Sequence, residues 1–67
     1  MNIILNNRPD EIKSDELSVQ ELIRIKNFTF KFLVTKINGQ LVKKDERESA
    51  KIKEGDKVDI IHLISGG

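Results

Sequence analysis

A chain of 67 residues makes a single domain that buries only about 60% of its unfolded surface, which leaves little room for a deep catalytic cavity. Its 12 basic and 11 acidic side chains nearly cancel and contain no block of five like charges, a pattern that argues against a nucleic-acid-binding surface or a basic membrane-binding helix. The absence of cysteine excludes disulfides and thiolate metal sites.

The first residues, Met1-Asn2-Ile3-Ile4-Leu5, are too few and too uncharged for a signal peptide, and no run reaches transmembrane length. A cytoplasmic protein that contacts neither membrane nor nucleic acid is expected. Residues 2–6 read as a first strand. Asn7-Arg8-Pro9-Asp10 reads as a turn, because proline fixes φ and Asn and Asp tolerate turn geometry. Residues 11–13 then form a short second strand.

Ser18 followed three residues later by Glu21 is a capping box and predicts a helix start. Leu17 and Leu22 have the spacing of a hydrophobic staple. Val19, Leu22, Ile23 and Lys26 share one face, with Ile25 at its margin, and Asn27 is the expected stop. Residues 28–37 read as a long strand rich in β-branched and aromatic side chains. Asn38-Gly39 predicts a two-residue hairpin turn, since type I′ geometry needs φ > 0 at both positions. Residues 40–42 are the return strand. Lys43-Lys44-Asp45-Glu46-Arg47-Glu48 reads as a solvated surface segment, with a helical turn over residues 46–51. A tight turn at residues 53–56 leads into a last strand, residues 57–64. One helix packed across a mixed four- to five-stranded sheet follows, an α+β layer solution. The apolar first and last strands are expected side by side at its centre.

Strand parity puts Ile3, Leu5, Leu33, Ile37, Val58 and Ile60 toward the helix, with Val19, Leu22, Ile23 and Ile52. The opposite parity gives Ile4, Phe32, Val34, Ile61 and Leu63. An open sheet face is normally polar, so these five mark a candidate partner-binding patch.

The chain closes with Ser65-Gly66-Gly67. Two glycines occupy the last two positions in roughly 0.5% of chains by average usage. Glycine lacks Cβ, so such a tail can enter a narrow cleft and present its carboxylate for activation by ATP. The competing reading is an expendable chain end. His62 has no evident triad or metal partner and is assigned no catalytic role. No metal site is expected.

Four stretches together resemble the thiamine sulfur-carrier proteins, the ThiS branch of the ThiS/MoaD group of ubiquitin-like β-grasp proteins. They are Met1-Asn2-Ile3-Ile4-Leu5-Asn6, Leu17-Ser18-Val19-Gln20-Glu21-Leu22, Ile37-Asn38-Gly39-Gln40-Leu41-Val42, and Glu54-Gly55-Asp56-Lys57-Val58 leading to Ser65-Gly66-Gly67. The chain departs from the family where Lys43-Lys44-Asp45-Glu46-Arg47 stands in place of a frequent Pro and Trp. The resemblance implies a β-grasp domain over residues 1–64 and a flexible tail over residues 65–67. It implies a carrier rather than an enzyme. Gly67 would be adenylated with Mg-ATP by a ubiquitin-activating-like (ThiF-like) enzyme, with Ser65 and Gly66 threading the cleft. Sulfur from a cysteine desulfurase would convert it to a thiocarboxylate for a ThiG-like thiazole synthase. No cofactor would be bound by the carrier itself. Two alternatives stay open: a molybdopterin synthase small subunit, and a ubiquitin-like modifier joined through Gly67 to lysines. The absence of aromatics and prolines in Ile61-His62-Leu63-Ile64 favours the thiamine branch over the first.

Overall fold

The computed structural model describes residues 1–29 and 32–63. Strand β1 (Asn2–Leu5) pairs antiparallel with β2 (Arg8–Glu11). The turn between them is Asn6-Asn7, with φ of 51° and 66°, conformations that Asn adopts more readily than most residues. The hairpin therefore turns earlier than predicted. Pro9 lies inside β2, opposite Ile4, instead of in the turn. Because β2 is the edge of the sheet, the missing proline N–H breaks no ladder that another strand needs.

Strand β3 (Leu17–Ser18) runs directly into helix α1 (Val19–Ile25). The capping box forms as predicted. The Glu21 backbone N–H donates to Ser18 Oγ at 3.1 Å, and the Ser18 N–H donates to Glu21 Oε1 at 3.0 Å. Leu17 and Leu22 are both buried, as are Val19 and Ile23. At the other end Asn27 takes φ 57°. Its N–H donates to the Arg24 carbonyl at 3.1 Å, and the Phe28 N–H to the Ile23 carbonyl at 3.0 Å. This pair of bonds is a Schellman motif with Asn in the left-handed position.

The Schellman motif corrects the predicted strand over residues 28–37. Phe28 closes the helix and packs partly against the core, while β4 spans only Leu33–Ile37. Residues 30 and 31 of that prediction lie outside the described residues. The Asn38-Gly39 turn is present with φ of 50° and 83°, and it sets Ile37 opposite Gln40 in β5 (Gln40–Val42).

The segment after β5 begins to turn earlier than the predicted helical turn over residues 46–51, which is present in part over residues 46–50. A 3-10 turn spans Lys44–Glu46. The Ala50 N–H donates to the Glu46 carbonyl at 2.9 Å, and the chain straightens into β6 (Lys51–Ile52). There Ile52 pairs with Leu17. Ile52 is fully buried there. Gly55, at φ 83°, makes the tight turn into β7 (Lys57–His62). Ile64, the predicted end of that strand, lies outside the described residues.

The main sheet has the order β2-β1-β7-β4-β5. β1 and β7 run parallel at its middle, and the other neighbours are antiparallel. The helix covers one face, burying Ile3, Leu5, Val58 and Ile60 against Val19, Leu22 and Ile23. Leu33 and Ile37, predicted for the same face, pack partly against this core. Lys26, the C-cap of the helix, pairs with Asp10 of β2 at 2.5 Å. This mixed five-stranded sheet crossed by one helix is the β-grasp layout.

Candidate functional site

The site is organised by β7, the strand that carries the chain toward its end. Alternation does the first part: Val58 and Ile60 enter the core, while Lys57 and Ile61 face outward. Position does the second. β7 is the central strand, held by β1 along its first residues and by β4 from Val58 to His62. At its far end the Leu63 N–H donates to the Phe32 carbonyl at 3.1 Å. The chain thus leaves the sheet beside β4 alone, since β1 pairs with β7 only at Lys57 and Val58. Ser65, Gly66 and Gly67 lie outside the described residues.

The five residues of the candidate patch fall into two groups. Val34 stands opposite Ile61, with Phe32 and Leu63 one step further along the same strands. Ile61 is 46% exposed, Leu63 49% and Phe32 51%, while Val34 is half-buried. Ile4 lies at the other end, between Pro9 and Lys57. Four residue steps along β7, from Lys57 to Ile61, separate the level of Ile4 from that of Ile61, about 13 Å of strand. The facing pair Lys36 and Asp59 occupies the stretch between.

Two residues that sequence reasoning missed complete the larger group. Leu41, 60% exposed, pairs with Lys36 and so shares its outward face. The two-residue Asn38-Gly39 turn carried that information, because it sets the hairpin register. Arg47 was read with its neighbours as a solvated surface segment. It instead folds back on β4, donating Nη2 to the Leu33 carbonyl at 2.7 Å and Nε to Thr35 Oγ1 at 3.3 Å. Thr35, fully buried, donates its own hydroxyl to the Val42 carbonyl at 2.6 Å. No local signal in the sequence marks this long-range contact.

Phe32, Val34, Leu41 and Leu63 line a shallow groove with Lys43, Lys44 and Arg47 along its rim. An apolar floor with a basic border can hold an apolar protein surface fringed by acidic groups. On the helix side, the Ser18 N–H bond holds the Glu21 carboxyl below its ordinary pKa, and the bond with the Ser18 side chain adds to this. His62, at the end of β7, is exposed. Among the described residues no three His, Cys, Asp or Glu side chains gather as a metal site. No helix among them is long and apolar enough to cross a membrane.

Comparison with solved structures shows the same fold. The chain superposes with a TM-score of 0.89 on the crystal structure of a thiamine biosynthesis protein (ThiS) from Geobacter metallireducens, at 23% identity, with 100% of both chains covered. It superposes with a TM-score of 0.82 on the solution NMR structure of a thiamine biosynthesis protein from the same organism. Identity is again 23%, over 100% of this chain and 88% of the other. The fold is therefore the ubiquitin-like β-grasp. The sequence profile of the ThiS family matches residues 3–67, nearly the whole chain and including the diglycine, and the chain belongs to that family.

Proposed function

We propose that this protein is a sulfur carrier of thiamine biosynthesis, charged at the carboxylate of Gly67. The observation that carries the reading is the family match running through residue 67 in a chain that closes with Ser65-Gly66-Gly67. Residues 65–67 act as a threading tail. A carboxylate at neutral pH is a poor electrophile and must first become a mixed anhydride. A ubiquitin-activating-like enzyme joins the Gly67 carboxylate to the AMP moiety of Mg-ATP and releases pyrophosphate. The terminal sulfur of an enzyme persulfide, supplied by a cysteine desulfurase, then attacks the acyl carbon and AMP departs. A thiol reduces the resulting acyl disulfide and frees the thiocarboxylate, which donates sulfur to a thiazole synthase. The carrier is a consumed and recharged co-substrate, and Ile4, Phe32, Val34, Ile61 and Leu63 form the surface its partners grip.

The absence of cysteine in the chain supports this role, because a neighbouring thiolate would attack an acyl adenylate. The test is intact-protein mass spectrometry after incubation with host lysate, Mg-ATP and cysteine. A species with one terminal oxygen replaced by sulfur is expected. An unmodified mass beside an active lysate control overturns the reading. Isopeptide-linked ladders that survive denaturant and thiol reductants would instead identify a protein modifier.

A further inference from the structure

β1 pairs with β7 through only two positions, Ile4 with Lys57 and Leu5 with Val58. The chain then turns away at Asn6, with φ 51°. Before it leaves, Asn6 makes two contacts with β7. Its backbone N–H donates to the Val58 carbonyl at 2.9 Å, and its side-chain Oδ1 accepts the Ile60 N–H at 2.8 Å. The side-chain amide takes the place that a further backbone carbonyl would have had if β1 were longer.

Ile60 is the last residue of β7 buried in the core, at 5% exposure, and Ile61, His62 and Leu63 after it are exposed. Asn6 therefore holds β7 from the β1 side at its last buried residue, while β4 holds it from the other. We propose that Asn6 is a positioning residue for the end of the last strand: by holding Ile60 from the β1 side it fixes the direction in which β7 leaves the core, and so the placement of Ile61, His62 and Leu63 toward an activating enzyme. This role rests on the sulfur-carrier reading.

The geometry demands this residue type. The position needs φ > 0 together with a short side-chain acceptor. Asn supplies both, Gly only the backbone, and Asp both again. Beyond Ile60 only β4 pairs with the strand, at Ile61 and His62, so losing the Asn6 tie leaves this stretch held from one side.

Two variants separate the side-chain tie from the turn itself. Asn6→Gly keeps the left-handed turn and removes the acceptor, whereas Asn6→Asp keeps both. The readouts are hydrogen exchange at the Ile60 amide, and steady-state pyrophosphate release by the ThiF-like enzyme with Mg-ATP and varied carrier. Both are taken well below each variant's melting temperature. In Asn6→Gly, the Ile60 amide should exchange faster while Val58 stays protected. The KM for carrier should rise about five-fold, as expected for one lost neutral hydrogen bond, with kcat little changed. Asn6→Asp should restore both readouts. Faster exchange at Ile60 with unaltered KM and kcat would overturn the role, as would unaltered exchange. A wild-type carrier that is never charged would instead sink the carrier reading, and this role with it.

Discussion

Arg47 lies twelve residues beyond Thr35 in the chain, and its Nε donates to the Thr35 hydroxyl at 3.3 Å while its Nη2 donates to the Leu33 carbonyl at 2.7 Å. β5 ends at Val42, opposite Thr35, so it offers Leu33 no strand partner. The guanidinium supplies the donor that another strand residue would have given.

Arg47→Ala should therefore destabilise the fold by about 1.5–3 kcal/mol, the range for hydrogen bonds to charged groups. Arg47→Lys should recover only part of this, because a lysine cannot reach both acceptors with a planar fork. Urea unfolding checks both. A midpoint in Arg47→Ala equal to that of wild type would show that the contact contributes nothing.

Leu22 is fully buried, at staple spacing from the buried Leu17 across the helix start. Leu22→Ala should cost about 2–5 kcal/mol. In so small a domain, even the low end is a large fraction of total stability. Calorimetry should show a clear fall in melting temperature. Ile25→Ala on the same helix, at a position 58% exposed, should shift it little.

Glu21 gives the capping box a dependence on pH. The Ser18 N–H, then the Ser18 side chain, hold its folded-state pKa below the ordinary carboxylate value. A depressed folded pKa means that ionised Glu21 contributes stability above its unfolded pKa, and that this contribution is lost as pH falls through the folded one. Glu21→Gln can still accept the Ser18 N–H but cannot titrate. Between about pH 5 and about pH 2 the wild type should lose more stability than the variant. Melting curves that run parallel across that range would remove Glu21 from the acid response.

Gly67→Ala, or one residue appended after Gly67, should abolish charging without altering the melting temperature. A Cβ or an extra residue blocks entry of the tail into a narrow cleft. Mass spectrometry of the charging reaction reads the result. Normal thiocarboxylate formation by either variant would defeat the threading argument.

Ile61, opposite Val34 on the open face, is the place to test the partner surface. Ile61→Thr keeps a β-branched strand former and removes apolar contact area. It should raise the KM for carrier in pyrophosphate release about five-fold or more if Ile61 is a binding hot spot, with the fold intact. The same change at Ile4 tests whether its separate corner takes part. Equal KM values for wild type and both variants would move the docking surface off this face.

Sequence alone determined what neighbouring residues decide among themselves. Ser18 and Glu21 bond across three residues, so the helix start is written locally. Asn38-Gly39 sets its own turn and, with it, the register of β4 and β5. Period-two alternation sorted Ile3, Leu5, Val58 and Ile60 into the core. The diglycine and the resemblance together led to the family. What only tertiary structure decided depends on which strand lies where. Pro9 can sit in β2 because β2 is an edge. Phe28 ends a helix, although its composition suits a strand, because Asn27 turns left-handed before it. Arg47 leaves solvent because β5 stops short of Leu33. Ile4 stands apart from Ile61 because β1 and β7 pair only at one end. Apart from the Phe28 turn, which Asn27 makes locally, each of these rests on contacts between residues distant in sequence, whose energies no local pattern encodes. The Asn6 amide joins positions 54 residues apart, and only the parallel meeting of the first and last strands brings it to Ile60.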